Sequence, residues 1–179
     1  AYRRLGAEVT IIARHTLLYK EDPLLGKKLT SILEKEGIKV LSNTQAEEVT
    51  YSNNMFTLSL NVDRKAEHIR CDQLLACTGR HANTSKLNLD SVGIATDNSG
   101  AIIVNERMET SLANVYAAGD CSNMPQFVYV AAAAGSRAGI NMTGGDTKLD
   151  LSTMPAVIFT DPQVATVGLT EAQAINRGI

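Results

Sequence analysis

The stretch NVYAAGDCSN, residues 114–123, decides the fold because a short apolar run is followed there by a glycine and an aspartate. Residues 115–118 predict a buried strand, and Gly119 predicts a tight turn at its end. Asp120 would then lie at the carboxyl end of the strand, where open α/β sheets bind their ligands. Pro125 predicts the start of a helix, whose first N–H groups carry partial positive charge. These features indicate a nucleotide-cofactor site, and an aspartate that only caps the helix accounts for them equally well.

The bulk composition excludes several classes of function. The chain has 179 residues, 44% of them hydrophobic and 20% charged, and its formal net charge is −2. This balance creates no strong field that would attract nucleic acid or an anionic membrane. The three cysteines form no C-x-x-C pair, which argues against a disulfide framework or a zinc site and favours a reducing, cytoplasmic location. Because the sequence has no initiator Met and breaks off within a predicted helix, we expect an internal segment of a longer protein.

The N-terminal part of the chain has the pattern of a β-α-β unit. Residues 8–13 predict a buried strand because they are largely β-branched and nearly uncharged. Pro23 predicts the start of a helix, and Gly37 predicts its end. Residues 38–41 predict the next strand. Such short connections indicate half of a doubly wound α/β domain.

Further elements are predicted along the rest of the chain. Residues 46–71 predict an antiparallel meander of three strands, with breaks at Asn53-Asn54 and at residues 63–65. Strands are also predicted at residues 73–80, which read as buried, and at residues 102–104. A long buried helix is predicted to run to Met142 and to stop at residues 143–145. In the last block, two strands are predicted on either side of Asp161-Pro162, and Thr170 with Glu171 predicts the start of a helix.

Basic residues follow the first strand, where a dinucleotide-binding fold selects its cofactor. An acidic residue there binds the ribose 2′-hydroxyl of NAD, whereas an arginine accommodates the additional phosphate of NADP. The sequence has Arg14 at this point and Lys20 further along the same loop, and a guanidinium pairs well with phosphate. The pattern favours NADPH, while two solvated basic residues on a loop are the simpler interpretation.

Two motifs together resemble a known family. Thr78-Gly79-Arg80 and YAAGD, residues 116–120, resemble the motifs of the flavoprotein disulfide reductases that contain two dinucleotide-binding domains. The resemblance covers essentially the whole chain. The run from Met124 to Gly168 is more specific. It is most similar to the members of the family that reduce Hg(II). It is less similar to the glutathione and dihydrolipoyl branches, which share the overall pattern of this run but differ in the helix predicted to end at Met142.

The resemblance implies an α/β fold made of parts of two Rossmann-like, doubly wound, three-layer domains and the start of an α+β dimerisation domain. Residues 1–80 would be the C-terminal part of the NADPH-binding domain, and residues 81–149 that of the FAD-binding domain. Residues 150–179 would begin the dimerisation domain of a homodimer. The implied reaction passes a hydride from NADPH to FAD and electrons from FAD to a cysteine pair, which in the mercury branch reduces Hg(II) to Hg(0).

The resemblance also implies contacts to NADPH. Arg14 and Lys20 match the positions that bind the 2′-phosphate, and Gly79 matches a backbone contact to the nicotinamide dinucleotide. Gln126 and Val157 are expected along the nicotinamide pocket.

Two further positions match the FAD contacts of the family. Asp120 matches the carboxylate that holds the ribityl chain. Val128 matches a backbone contact to the flavin at the start of a helix, where the helix dipole would stabilise charge on the reduced ring.

The catalytic cysteines of the family match no residue of this chain, and the redox-active C-x-x-x-x-C and the C-terminal cysteine pair are expected outside it. Cys77 is interpreted as a small core residue in a buried strand, and Cys121 as a structural residue beside the flavin contact. His15, His68 and His81 match no catalytic histidine, and no metal site is predicted. Three functions stay open: a mercury-reducing enzyme, another disulfide reductase of the family, and a non-catalytic flavin-binding protein.

Overall fold

The computed structural model describes residues 1–62 and 65–179 and shows a mixed α/β chain. Its elements form two compact units, one made of Ala1–Ala76 with Met154–Ile179 and the other of Cys77–Thr153. In the described part of the chain, no helix is both long and apolar enough to cross a membrane.

The first unit begins with the predicted β-α-β arrangement. A 3₁₀ turn, Tyr2–Leu5, precedes strand β1, Thr10–Ile12, and helix α1 spans Pro23–Lys35. Strand β2, Lys39–Leu41, pairs with β1 in parallel. The β-α-β arrangement is therefore confirmed, although both strands are shorter than the apolar runs that predicted them and β1 is at most half-buried rather than buried.

Local sequence fixes both ends of α1. The Oδ1 atom of Asp22 accepts a hydrogen bond from the backbone N–H of Leu24 at 2.8 Å, and Pro23 occupies the first turn, where a missing N–H costs nothing. Gly37 follows the last turn with φ +82°, a left-handed conformation that glycine adopts without strain. The predicted helix bounds are confirmed.

An antiparallel meander follows β2 in the same unit. Its strands are β3, Ala46–Ser52, β4, Met55–Val62, and β5, Lys65–Cys71, arranged in the order β3-β4-β5. The central strand buries Leu58 and Leu60, which are 5% and 2% exposed. The predicted meander is confirmed.

The two predicted breaks in the meander have different outcomes. Asn53 and Asn54 join β3 to β4 with φ values of +50° and +57°, the conformation that two-residue hairpin turns require. The other break was predicted at residues 63–65. Asp63 and Arg64 lie outside the described residues, and Lys65 is already the first residue of β5.

The second unit packs around helix α2, Val128–Met142. Ala134 in its middle is fully buried and belongs to one core cluster with Ile94, Ile102 and Met108. The helix ends where the sequence predicts, because Thr143 is its C-cap and Gly144 follows with φ +91°.

The C-terminal residues of the first unit form a second small hairpin and a helix. Strands β6, Ala156–Ile158, and β7, Val164–Thr166, are antiparallel, and α3 spans Glu171–Asn176. Thr170 and Gln173 form a capping box, in which each side chain bonds the other residue's backbone N–H, at 3.3 and 3.0 Å. All three elements were predicted.

Residues 73–80 do not form the predicted buried strand. They are irregular and exposed, and Leu75 is 71% exposed. A strand requires a neighbour that supplies backbone partners, and none of the described strands pairs with this run. The apolar pattern was therefore a misleading signal here.

The strands predicted at residues 115–118 and 102–104 are reduced to single bridges. Residues 115–118 are half-buried rather than buried. A ladder needs consecutive paired residues, and these runs find partners one residue at a time. The bridges join Tyr116 to Glu109, and Ile102 to both Thr96 and Ser122.

The sequence predicted that helix α2 begins at Pro125, but the helix begins at Val128. Phe127 is its N-cap and has extended backbone angles, φ −122° and ψ 143°. The N–H of Phe127 donates to the carbonyl of Pro125 at 2.9 Å, so these residues form a turn before the helix. Gln126 consequently lies outside the helix.

Candidate functional site

A tight turn presents Asp120 at the end of residues 115–118. Gly119 has φ +88°, and a Cβ at this position would lie 3.6 Å from the Cβ of Ala131 in α2. Glycine suits the turn because of this positive φ, whereas the distance to Ala131 is an ordinary van der Waals contact. The side chain of Asp120 keeps 53% of its surface exposed, so the carboxylate is available to a ligand.

Arg80 connects Asp120 to the segment before α2. Its Nη1 donates to Oδ2 of Asp120 at 2.9 Å, and its Nη2 donates to the carbonyl of Gln126 at 3.1 Å. The Nε2 of Gln126 completes the cluster with a long contact of 3.5 Å to the carbonyl of Asp120. Among the described residues, no hydrogen-bond donor reaches Oδ1 of Asp120, which can therefore accept a bond from a ligand hydroxyl.

The start of α2 lies next to this cluster in the sequence. Within the described residues no side chain caps the helix, and Val128 is 84% exposed. The rings of Phe127 and Tyr129 stack with centroids 5.2 Å apart. A helix start without a side-chain cap can direct its N–H groups at an electron-rich ligand.

In the first unit, Arg14 and Lys20 share the loop that follows β1. Both are exposed. The Nε of Arg14 donates to Oε1 of Gln45 at 2.9 Å. The Nζ of Lys20 lies 5.8 Å from the ring centroid of Tyr19, whose ring also contacts that of His15 at 4.5 Å.

Gly26 in α1 sets the position of this loop. A Cβ at residue 26 would lie 2.1 Å from the backbone oxygen of Leu17, so only a glycine lets the loop approach the helix so closely. Gly26 is buried. Its role was not recognised from the sequence, because a glycine inside a helical pattern carries no signal of what passes over it.

The other candidate residues occupy less defined positions. Gly79 is exposed with φ +117°, and nothing lies within 4 Å of the place its Cβ would occupy. Val157 is half-buried in β6 and pairs with Ala165 of β7. The structure thus brings Asp120 and Gln126 together through Arg80, a residue that the sequence motif contained but that we had not assigned to the site.

The structure corrects the interpretation of one cysteine, Cys77. Cys77 is exposed, contrary to its interpretation as a core residue, because residues 73–80 form no buried strand. Cys121 is half-buried, and its Sγ donates to the carbonyl of Ala118 at 3.5 Å. Across residues 1–62 and 65–179, no group of three or more His, Cys, Asp or Glu side chains is placed to hold a metal ion.

Two family profiles match the chain. The pyridine nucleotide-disulphide oxidoreductase profile matches residues 1–135, and the profile of the dimerisation domain of these oxidoreductases matches residues 154–179.

Curated relatives match over the whole chain. Mercuric reductase of Shewanella putrefaciens is 71% identical over 179 residues, which are 100% of this chain and 31% of the relative. Mercuric reductase of Shigella flexneri is 52% identical over 100% of this chain and 32% of the relative. The chain thus spans about a third of the length of the curated relatives it matches.

Solved structures of similar proteins share the fold. LpdA of Mycobacterium tuberculosis is 27% identical, with a TM-score of 0.88 over 99% of this chain and 39% of that protein. The Cu(II) complex of RclA from Escherichia coli, an HOCl-induced flavoprotein disulfide reductase, is 26% identical, with a TM-score of 0.84 over 98% of this chain and 40% of that protein.

Proposed function

The chain belongs to the pyridine nucleotide-disulphide oxidoreductase family, and from this membership we propose that it forms part of a flavoenzyme that reduces Hg(II) to Hg(0) with NADPH. The observation that carries the proposal is the 71% identity to a mercuric reductase across the whole chain. Identity to LpdA and to the flavoprotein disulfide reductase RclA is far lower, at 27% and 26%. The mercury branch is therefore preferred to another disulfide reductase or a non-catalytic flavoprotein.

The residues around Asp120 fit a bound FAD. FAD, when bound, would accept a hydride from the nicotinamide and pass two electrons to a cysteine pair. Asp120 would hold the ribityl hydroxyls through Oδ1, the carboxylate oxygen that Arg80 leaves available. The backbone at Val128 would contact the flavin, where the positive end of the helix dipole favours added negative charge.

The loop after β1 fits the adenosine phosphate of NADPH. Arg14 and Lys20 would bind the 2′-phosphate, because both cations are exposed on one loop and guanidinium groups pair with phosphate oxygens. Gly79 would contact the dinucleotide through its backbone, since its surroundings leave room for a ligand. Gln126 and Val157 would lie along the nicotinamide pocket.

The proposal includes a domain organisation, a dimer and a location. Residues 1–80 and 81–149 would belong to the NADPH- and FAD-binding domains, a division supported by the change of compact unit after Ala76. Residues 150–179 would begin the domain that forms the homodimer, in keeping with the dimerisation profile over residues 154–179. The three free cysteines suit the reducing cytoplasm.

The intact protein, expressed from its full reading frame, tests this proposal. We expect NADPH oxidation that depends on added Hg(II) and yields volatile Hg(0). Oxidised glutathione and lipoamide serve as competing acceptors under the same conditions. Faster turnover with either acceptor than with Hg(II) would place the enzyme in a sister branch, and bound flavin without turnover of any acceptor would indicate the non-catalytic protein.

A further inference from the structure

The side chain of Arg14 forms one hydrogen bond among the described residues, and that bond uses its Nε. The acceptor is Oε1 of Gln45 at 2.9 Å, and none of the described carboxylates forms a salt bridge with Arg14. The N–H groups on Nη1 and Nη2 therefore stay available. These outer nitrogens form the planar fork that pairs with phosphate oxygens.

Backbone hydrogen bonds connect the segment that contains Gln45 to the segment that contains Arg14. The N–H of Ala13 donates to the carbonyl of Leu41, and the N–H of Thr44 donates to the carbonyl of Ala13, both at 2.9 Å. Thr44 is 3% exposed. Arg14 directly follows Ala13, and Gln45 directly follows Thr44. The hydrogen bond between Thr44 and Ala13 therefore holds the amide and the guanidinium near each other without any rearrangement of the backbone.

We propose that Gln45 is a positioning residue, which orients the guanidinium of Arg14 toward the 2′-phosphate of NADPH. The inference rests on the proposed use of NADPH. An exposed arginine loses rotamer freedom when it binds a ligand, and a contact that restricts it beforehand lowers that cost. A glutamine suits this task because its amide oxygen accepts a hydrogen bond from Nε and, being neutral, leaves the positive charge of the guanidinium available to the phosphate. A carboxylate at the same position would form an ion pair with the guanidinium and compete with the ligand.

Calorimetric titration of the full-length protein with 2′,5′-ADP and with 5′-AMP measures the contribution of the 2′-phosphate to the binding affinity, because the two ligands differ only in that group. We expect Gln45→Ala to weaken 2′,5′-ADP binding by about three- to tenfold, the cost of ordering one long side chain, and to leave 5′-AMP binding unchanged. Gln45→Glu should weaken 2′,5′-ADP binding further. The control, Gln163→Ala, removes an exposed glutamine from the same unit and should change neither ligand.

A double-mutant comparison separates positioning from a general structural effect. In an Arg14→Ala background, Gln45→Ala should cause no further loss of 2′,5′-ADP binding, because its effect acts through the guanidinium. Unchanged 2′,5′-ADP binding by Gln45→Ala, an equal loss for 5′-AMP, or additive losses in the double variant would each overturn the inference. So would an Arg14→Ala variant with unaltered 2′,5′-ADP binding.

The Hg(II) assay keeps the two proposals distinguishable. A full-length protein that does not reduce Hg(II) but shows the expected pattern with 2′,5′-ADP would refute the proposed reaction and support the role of Gln45. A protein that reduces Hg(II) but does not show the expected pattern with 2′,5′-ADP would support the proposed reaction and refute the role of Gln45.

Discussion

Arg80 and Asp120 are 40 residues apart in the sequence, and their side chains form a salt bridge in which Nη1 lies 2.9 Å from Oδ2. The same guanidinium holds the carbonyl of Gln126. One side chain thus joins the turn after residues 115–118 to the segment that leads into α2. Both groups that the guanidinium holds belong to residues we propose to lie at the nucleotide sites.

Asp120→Ala should weaken FAD binding. The carboxylate would accept a charge-assisted hydrogen bond from a ribityl hydroxyl, and removing such a bond costs on the order of 1.5–3 kcal/mol. Flavin fluorescence during dilution of the full-length protein measures the release. Asp120→Asn, which retains an acceptor oxygen, should lose less. If Asp120→Ala retains flavin as the unmodified protein does, Asp120 is no FAD ligand.

Arg80→Ala should reduce FAD affinity more than it reduces global stability. An exposed ion pair contributes only about 0–1 kcal/mol to folding, and Arg80 and Asp120 retain 59% and 53% of their side-chain surface. The affinity falls because Asp120 and the Gln126 carbonyl lose their shared donor. Arg80→Lys should restore part of it, since an ammonium can pair with the carboxylate but lacks the planar fork. Urea unfolding and flavin titration of both variants test this, and parallel losses in the two measurements would contradict it.

Replacing Arg14 and Lys20 together by glutamine should raise the KM for NADPH and leave that for NADH nearly unchanged. Only NADPH carries the phosphate that the two cations would bind. Steady-state kinetics of the full-length enzyme with each cofactor provides the measurement. Equal losses with both cofactors would show that the loop supports the fold and does not select the cofactor.

Gly26→Ala should destabilise the protein by about 1–3 kcal/mol, the usual cost of overpacking, because the new Cβ would lie 2.1 Å from the oxygen of Leu17. Gly139→Ala is the matched control. It also lies within a helix, and nothing in the described chain is within 4 Å of its Cβ position. The control should be neutral or stabilising by about 0.4–1 kcal/mol. Urea unfolding compares the two, and equal destabilisation would contradict the prediction.

Asp97 should contribute to stability in a pH-dependent way. Its Oδ1 accepts hydrogen bonds from the hydroxyl and N–H of Ser99, at 2.7 and 2.8 Å, and from the N–H of Ala101 at 3.0 Å. These bonds hold the pKa of Asp97 below its ordinary value. A lowered folded-state pKa stabilises the protein above the unfolded pKa, and the contribution is lost as pH falls through the folded value.

Unfolding of the unmodified protein and of Asp97→Asn across the acid range tests this dependence. The difference in unfolding free energy between the two proteins should be greatest near neutral pH and should shrink as the medium becomes acidic. A difference that does not vary with pH would rule out the titration of Asp97 as its source.

Sequence patterns predicted the elements whose partners are near in the chain. The start of α1 at Asp22 and Pro23, the Asn53-Asn54 hairpin and the capping box at Thr170 depend on neighbouring residues, and each is present. The predicted strands at residues 73–80 and 115–118 fail for the opposite reason, since a strand depends on distant partners. The role of Arg80 at the site was not predicted for the same reason, because nothing in the TGR motif indicates a partner 40 residues away.

The close approach of Gly26 to Leu17, together with the backbone bonds around Thr44, has a practical consequence for redesign. The loop that carries Arg14 and Lys20 is held by main-chain contacts on both sides, whereas its two cations project from it into solvent. The scaffold of this loop is therefore separate from the two cations that we propose to select the cofactor. If the proposed use of NADPH holds, an NADH-dependent variant can be sought by exchanging the projecting side chains one by one, with the supporting glycine and threonine left untouched.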